Sequence, residues 1–227
     1  MRSVKHHIHY YLRARHRGGH GVQSPFAYWL IAGLIEEKHP YYCYDELEAK
    51  RADLKAQLVA RQSIAEGFNA KGSDPKAQHS GLDARAVKYC LSPADAQLLF
   101  RLVNAFSLHK LMDWGGIDEI TRLYLQSASS KLKIYPGGQD TTLKPDLLFC
   151  NSDLDEPTLS QAILQALNQK TEQSLLVLAG PHRSAGAFRC WQQLLAQSDV
   201  RLTVEMKGLG LVFFNPELQK DHYILRR

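Results

Sequence analysis

Apolar residues recur at helical spacing through the first half of the chain, and in the second half the period shortens to that of strands. Residues 4–15 carry Ile8, Tyr11 and Leu12 on one side and run into Gly18-Gly19, which predicts a first helix with its stop. Ser24-Pro25 supplies an N-cap and a first-turn proline for a second helix through Phe26, Tyr28, Leu30 and Leu34. Residues 41–65, rich in Glu, Lys, Ala and Leu, place Leu47, Leu54 and Leu58 on one stripe and predict a third. The pattern collapses into Gly, Asn, Asp, Pro and Lys over 66–78, a predicted loop. Ser92-Pro93 then opens an amphipathic helix over 94–106, with Leu98, Leu99, Leu102, Val103 and Phe106 on its apolar face.

After His109 short apolar runs alternate with helical stretches. Strands are predicted at 110–114, 131–135, 145–150 and 174–179, with helices at 119–127, 158–168 and 187–197 between them. The unbroken apolar run at 174–179 suits a parallel strand covered on both faces. Residues 201–206 and 210–214 predict an antiparallel pair, and 223–226 a last strand. Strand alternating with helix gives an α/β fold with a mostly parallel, doubly wound sheet. The predicted organisation is a helical N-terminal cap region over 1–91, with its loop near 66–80, followed by a sheet domain over 92–227.

Composition narrows the class. The chain has 227 residues, 44% hydrophobic and 22% charged, which excludes collagen, a disordered tail and a disulfide-dense mini-protein. No apolar run approaches the roughly 18 residues of a membrane-spanning helix, and the basic opening lacks the apolar core of a secretory signal. Cys43, Cys90, Cys150 and Cys190 are widely spaced and form no CxxC pair, so free thiols in a reducing cytoplasm are expected. The net charge of +5 is uneven: no acid precedes Glu36, while Arg2, Lys5, Arg13, Arg15 and Arg17 do. This head reads first as a solvated basic helix packed by one face, since no nucleic-acid-binding motif accompanies the charge. His6, His7 and His9 are joined by no Cys or acid, and no metal site is predicted there.

In an open α/β sheet, ligands sit beyond the carboxyl ends of the strands at the switch point of strand order. The first strand leaves through Met112-Asp113-Trp114-Gly115-Gly116, where Asp113, Gly115 and Gly116 suit close approach of backbone to a nucleotide-like ligand. Here a resemblance enters. Residues 17–26, Arg-Gly-Gly-His-Gly-Val-Gln-Ser-Pro-Phe, are similar to the HGxHSPF signature of a Bacteroidetes-type family of class I S-adenosylmethionine-dependent methyltransferases. Ser92-Pro93 leading into Gln97-Leu98-Leu99-Phe100-Arg101-Leu102-Val103-Asn104 matches in order. So do Asp155-Glu156-Pro157-Thr158-Leu159 and the stretch from Gly210-Leu211-Val212-Phe213-Phe214 to His222-Tyr223-Ile224-Leu225-Arg226. The resemblance implies a Rossmann-like methyltransferase sheet behind a helical cap, with S-adenosylmethionine as the cofactor, if any is bound.

The departures from that family fall on the cofactor and reaction motifs. Where the resemblance implies a loop of the type E-x-G-T-S-x-G, this chain has Asp113 to Glu119. There Trp114 is bulky, and Glu119 would bring a carboxylate near the cofactor's own. The second strand, which should end in an acid for the ribose hydroxyls, ends in Tyr135-Pro136-Gly137-Gly138 with no carboxylate at that place; substitution by Asp140 through a shifted loop is the less favoured alternative. Only a few residues separate Gly138 from the next strand, so one βα unit is expected to be deleted. Phe149-Cys150-Asn151-Ser152-Asp153 replaces F-D-G-N-H, leaving Asn151 and Asp153 as vestigial pocket residues. Ala179-Gly180-Pro181-His182-Arg183-Ser184 replaces D-D-I-H-W-S, so no metal site of the magnesium kind is predicted.

Among the remaining side chains, His182 is a candidate general base, against the plainer reading of a polar loop residue kept with the fold. Arg17, His20, Ser24, Phe26, Tyr41 and Tyr42 form an aromatic and basic set. It either locks the cap helices to the sheet or offers a surface to an anionic or aromatic group. The leading functional reading is a degenerate methyltransferase-like protein acting through binding or regulation, with a small molecule or a protein such as an active paralogue as partner. The alternatives are an active O-methyltransferase-like enzyme with a small acceptor, and a small-ligand or nucleic-acid binder using the basic head.

Overall fold

The computed structural model describes residues 21–69, 90–140 and 142–226, with backbone alone over 62–69. The predicted first helix, the Gly18-Gly19 stop, Arg17 and His20 lie outside the described residues. Ser24 caps α1 (Pro25–Tyr28), its Oγ accepting the Ala27 amide at 3.3 Å. The chain continues directly into a π-helical stretch (Trp29–Ile35), where Glu36 N donates to Ile31 O. Helix α2 (Tyr44–Asn69) begins with Asp45 and Glu46, acids that suit a helix N-terminus. It runs through Glu66–Asn69, correcting the loop expected from residue 66: a single Gly67 is tolerated inside a long helix at modest cost.

Helix α3 (Pro93–Ala105) is held to these segments by a buried guanidinium. Arg101 is 2% exposed, and its Nε donates to Leu34 O at 2.9 Å and its Nη1 to the Tyr44 hydroxyl at 3.3 Å. A buried charge thus finds acceptors where the π-helical stretch leaves carbonyls unpaired, which satisfies both sides of the contact.

The remaining elements alternate: β1 (Lys110–Trp114), α4 (Glu119–Ala128), β2 (Lys133–Pro136), β3 (Leu147–Asn151), α5 (Glu156–Gln169), β4 (Leu175–Ala179) and α6 (Ala185–Leu195). Then follow β5 (Leu202–Glu205), β6 (Leu209–Phe213) and β7 (Asp221–Ile224). They form one seven-stranded sheet in the order β2-β1-β3-β4-β6-β5-β7, in which only β6 runs against the others. The two faces carry separate cores. The cap helices, α3 and α4 cover Leu111, Leu147, Phe149 and Val177, while α5 and α6 cover Met112, Trp114, Leu148 and Leu178. This is a Rossmann-like α/β sheet, as the alternation predicts.

Strand β2 is an edge of the sheet. In the usual doubly wound order a further strand lies outside the second; here ten residues, 137–146, pass from β2 straight to β3. The crossover descends along α5, one helical turn per contact. Gly138 lies by the Gln165 side chain, and Gln169 Nε2 donates to Asp140 O at 3.0 Å. Among the described residues, turns and bends stand between β2 and β3, and no further strand or helix lies there, as the expected deletion of a βα unit implies.

Candidate functional site

The switch point of strand order falls between β1 and β3. At their carboxyl ends stand Asp113 and Asn151, followed by Gly115, Gly116 and Asp153 in the loops that leave the two strands. Gly115 and Gly116 take φ of 110° and 78°, backbone that side chains rarely adopt. The loop bends back on β3: a Cβ on Gly115 would stand 3.0 Å from the Asn151 Cβ, and Asn151 Nδ2 donates to Gly116 O at 3.3 Å. Asp113 Oδ2 accepts the Ile117 amide at 2.8 Å, while its buried Oδ1 has no partner among the described residues. Burial pushes the Asp113 carboxyl above its usual pKa, and the amides of Ile117 and Gly116 only partly counter it.

Trp114 turns to the opposite face and is 5% exposed. Its indole Nε1 donates to Gln165 Oε1 at 3.3 Å, and the first residue after β2 lies on its ring: a Cβ on Gly137 would meet the indole at 2.5 Å. The exit of β2, where a ribose-binding acid would stand, is therefore Pro136 followed by backbone stacked on an indole. Asp140 is no substitute, because it lies down the crossover near Gln169, with its carboxylate closing a turn onto Thr142. Glu119 corrects an expectation as well. Its carboxylate turns to Arg61 of α2 at 3.6 Å instead of facing the glycine loop.

The loop after β4 locks the second half of the site. Arg183 Nη1 donates to Asn151 Oδ1 at 3.0 Å and pairs with Asp153, and Ser152 Oγ donates to Gly180 O at 2.8 Å. Asn151 and Asp153, expected from the sequence as vestigial pocket residues, here hold an arginine. His182 is buried and stacked on Phe188, its Nε2 3.0 Å from Glu205 Oε1. Glu205 is the hub: Trp191 Nε1 donates to its Oε2 at 2.6 Å, and His222 Nε2 lies 3.4 Å from the same oxygen. Burial alone would raise this carboxyl, but the hydrogen bonds from His182, His222 and Trp191 win and hold it far below the carboxylate range.

Beside this hub a cleft of about 530 Å³ opens at the carboxyl ends of β4 and β5. Its walls are the first turn of α3 (Ser92, Ala94, Asp95), the loop with His182 and Arg183, and the Lys207-Gly208 turn. Sequence reading passed over Glu205, Asp95 and Lys207. The one usable signal was an acid at 205 between the apolar residues Val204 and Met206.

The aromatic set does not form one patch among the described residues. Phe26 packs with Trp29, Phe106 and Phe213, whereas Tyr41 packs with Tyr44 and Phe100, and Tyr42 is 99% exposed. Among the described residues no group of three His, Cys, Asp or Glu could hold a metal ion, and no helix is long and apolar enough to cross a membrane.

No family profile and no curated protein matches the chain. Solved structures with a similar course of the chain include the O-methyltransferase TomG of Streptomyces achromogenes, involved in tomaymycin synthesis and solved with S-adenosylmethionine. It is 13% identical over 67% of this chain and 96% of its own, with a TM-score of 0.45. A methyltransferase of Geobacter sulfurreducens is 11% identical over 67% of this chain and 96% of its own, with a TM-score of 0.47. The S-adenosylhomocysteine-bound methyltransferase PaMTH1 of Podospora anserina is 10% identical over 78% and 98%, with a TM-score of 0.44. These are likenesses of overall shape at low identity, and the fold class rests on the strand order.

Tested against S-adenosylmethionine, the residues fit one end of the molecule and not the other. Asp113 Oδ1 is a buried acceptor suited to an ammonium group, beside a positive-φ glycine pair. The adenosine end meets Pro136, the Trp114–Gly137 stack and an edge strand. At the β2 exit, Pro136 and Gly137 offer no side-chain acceptor for the ribose hydroxyls.

Proposed function

We propose that the chain is a methyltransferase-like protein with a degenerate cofactor site, which acts by binding a small molecule or a protein partner and not by methyl transfer. The observation that carries this reading is the stacking of Gly137 on Trp114 at the exit of β2, the ground on which an adenosine would rest. The energetic consequence is large. A carboxylate accepting two ribose hydroxyls contributes about 1.5–3 kcal/mol per bond, so lacking it lowers affinity by roughly 100-fold or more. Isothermal titration with S-adenosylmethionine and S-adenosylhomocysteine, on protein checked for co-purified ligand, tests the reading. No detectable heat from well-folded protein is the expected result, and micromolar binding would overturn it.

One observation favours the second reading, an active O-methyltransferase-like enzyme. The unpartnered Asp113 Oδ1 beside Gly115 and Gly116 is the kind of acceptor that a cofactor's ammonium completes. Micromolar binding in the same titration would make a screen of small hydroxylated acceptors the next step.

A further inference from the structure

We propose that the cleft at the ends of β4 and β5 binds a small zwitterion of the α-amino-acid type, its ammonium at Asp95 and its carboxylate at Lys207. This deepens the binding-protein reading and rests on it only in treating the chain as a binder. The cleft is about 530 Å³, within the range of small-molecule sites, and its walls are fixed from inside. Gly180 takes φ of 72° and donates its amide to Gly208 O at 2.8 Å, tying the loop after β4 to the β5–β6 turn. The Glu205 hub holds His182, and Asn151 with Asp153 holds Arg183, so these two side chains of the wall are already engaged within the protein.

The two charges left at the rim are of opposite sign. Asp95 lies in the first turn of α3, and its Oδ2 accepts the Ser92 hydroxyl at 2.6 Å. The carboxylate rests against the β5–β6 turn itself, since a Cβ on Gly208 would collide with Oδ2. The neighbouring Lys207 is exposed, and no ion pair among the described residues engages it or Asp95. A simple anion entering here meets one attractive and one repulsive neighbour, as does a simple cation. A molecule carrying both charges satisfies both, while Ala94 and Met206 supply apolar wall for its side chain.

The test is amide NMR of the full chain, titrated with a panel of free α-amino acids and, as one-ended controls, with acetate and methylammonium. At least one amino acid is expected to shift the amides of Gly180, Lys207 and Gly208 saturably, with both controls about tenfold weaker or more. Asp95→Asn keeps the acceptor for Ser92 and Lys207→Gln changes an exposed side chain, so both variants fold. Each should weaken binding by about tenfold or more. The proposal is overturned if no amino acid shifts these amides, if acetate or methylammonium matches the amino acid, or if both variants bind unchanged. A parallel titration with S-adenosylhomocysteine separates the two readings. Shifts at Gly115, Gly116 and Ile117 would sink the degenerate-site reading and leave the cleft to be judged on its own three amides.

Discussion

Two carboxylates, one buried and one half-buried, stand at the carboxyl ends of strands in one sheet and are treated in opposite ways. Glu205, at the end of β5, receives an indole N–H and two imidazoles from α6, the loop after β4 and β7, and its pKa is driven down. Asp113, on β1, receives only amides of its own loop, keeps one buried oxygen unpartnered, and is driven up. Burial acts on both in the same direction, so the donors decide. The Glu205 side is completed by the protein, whereas the Asp113 side has the form of an acceptor left without its ligand. The walls beside the cleft are thus tied together by side chains of the protein itself, whereas the turn after β1 leaves one carboxylate oxygen with no partner among the described residues.

The largest effect that bears on this contrast comes from Trp114. If its indole fills the crevice region as core, Trp114→Ala removes a buried aromatic from the α5 face and costs about 3–5 kcal/mol. Denaturant unfolding measures this directly. A loss below about 1 kcal/mol would mean that the Gly137 crossover collapses onto the vacated space, and that the stack is a filler instead of a support.

Glu205→Gln tests the other side. A buried carboxylate hydrogen-bonded on both oxygens contributes about 1.5–3 kcal/mol per charge-assisted bond, and a loss of about 3 kcal/mol is expected for Glu205→Gln because glutamine can still accept from Trp191. The pH dependence gives the sign. A folded-state pKa below the unfolded value of about 4.3 means that the carboxylate's contribution is fully present above that value. It is lost as pH falls toward the folded pKa. The gap between wild type and Glu205→Gln should be flat above about pH 5 and shrink steadily below it. A gap that stays flat on acidification would show that shape, not charge, holds the hub together.

Sequence reading served the two sides unequally, for a physical reason. The strands and helices of the sheet follow from period and capping, and 110–114 coincides with β1 to the residue. The missing βα unit was also legible, because a chain too short for a helical crossover must take another route. Proximity was not legible. Nothing in the local pattern says that Arg183 would reach Asn151 and Asp153, or that His182, Trp191 and His222 would converge on Glu205, since those contacts join segments 14 to 32 residues apart. Glu119 misled for the same reason: its place in the glycine loop is local information, and its pairing with Arg61 of α2 is not. Tyr41 and Phe26 share a motif-rich stretch in sequence but pack into separate ring clusters.

The smallest effect is the most telling for the crevice. Asp113 has a pKa raised above its unfolded value near 3.9, so its ionised form is disfavoured in the folded chain. That penalty exists above the unfolded pKa and vanishes as pH falls below it, the reverse of Glu205. Asp113→Asn removes the charge while its amide oxygen can still accept from Ile117, so a stabilisation of under ~1 kcal/mol is expected at neutral pH. It should disappear in acid. Thermal unfolding of the two proteins across pH 3 to 8 resolves the sign. Destabilisation by Asp113→Asn at neutral pH would mean that the ionised carboxylate holds the Gly115-Gly116 turn, and that the crevice is as self-sufficient as the hub around Glu205. Stabilisation would mark Asp113 as a group whose charge serves no contact within the protein, which is the condition expected of a site that has outlived its ligand.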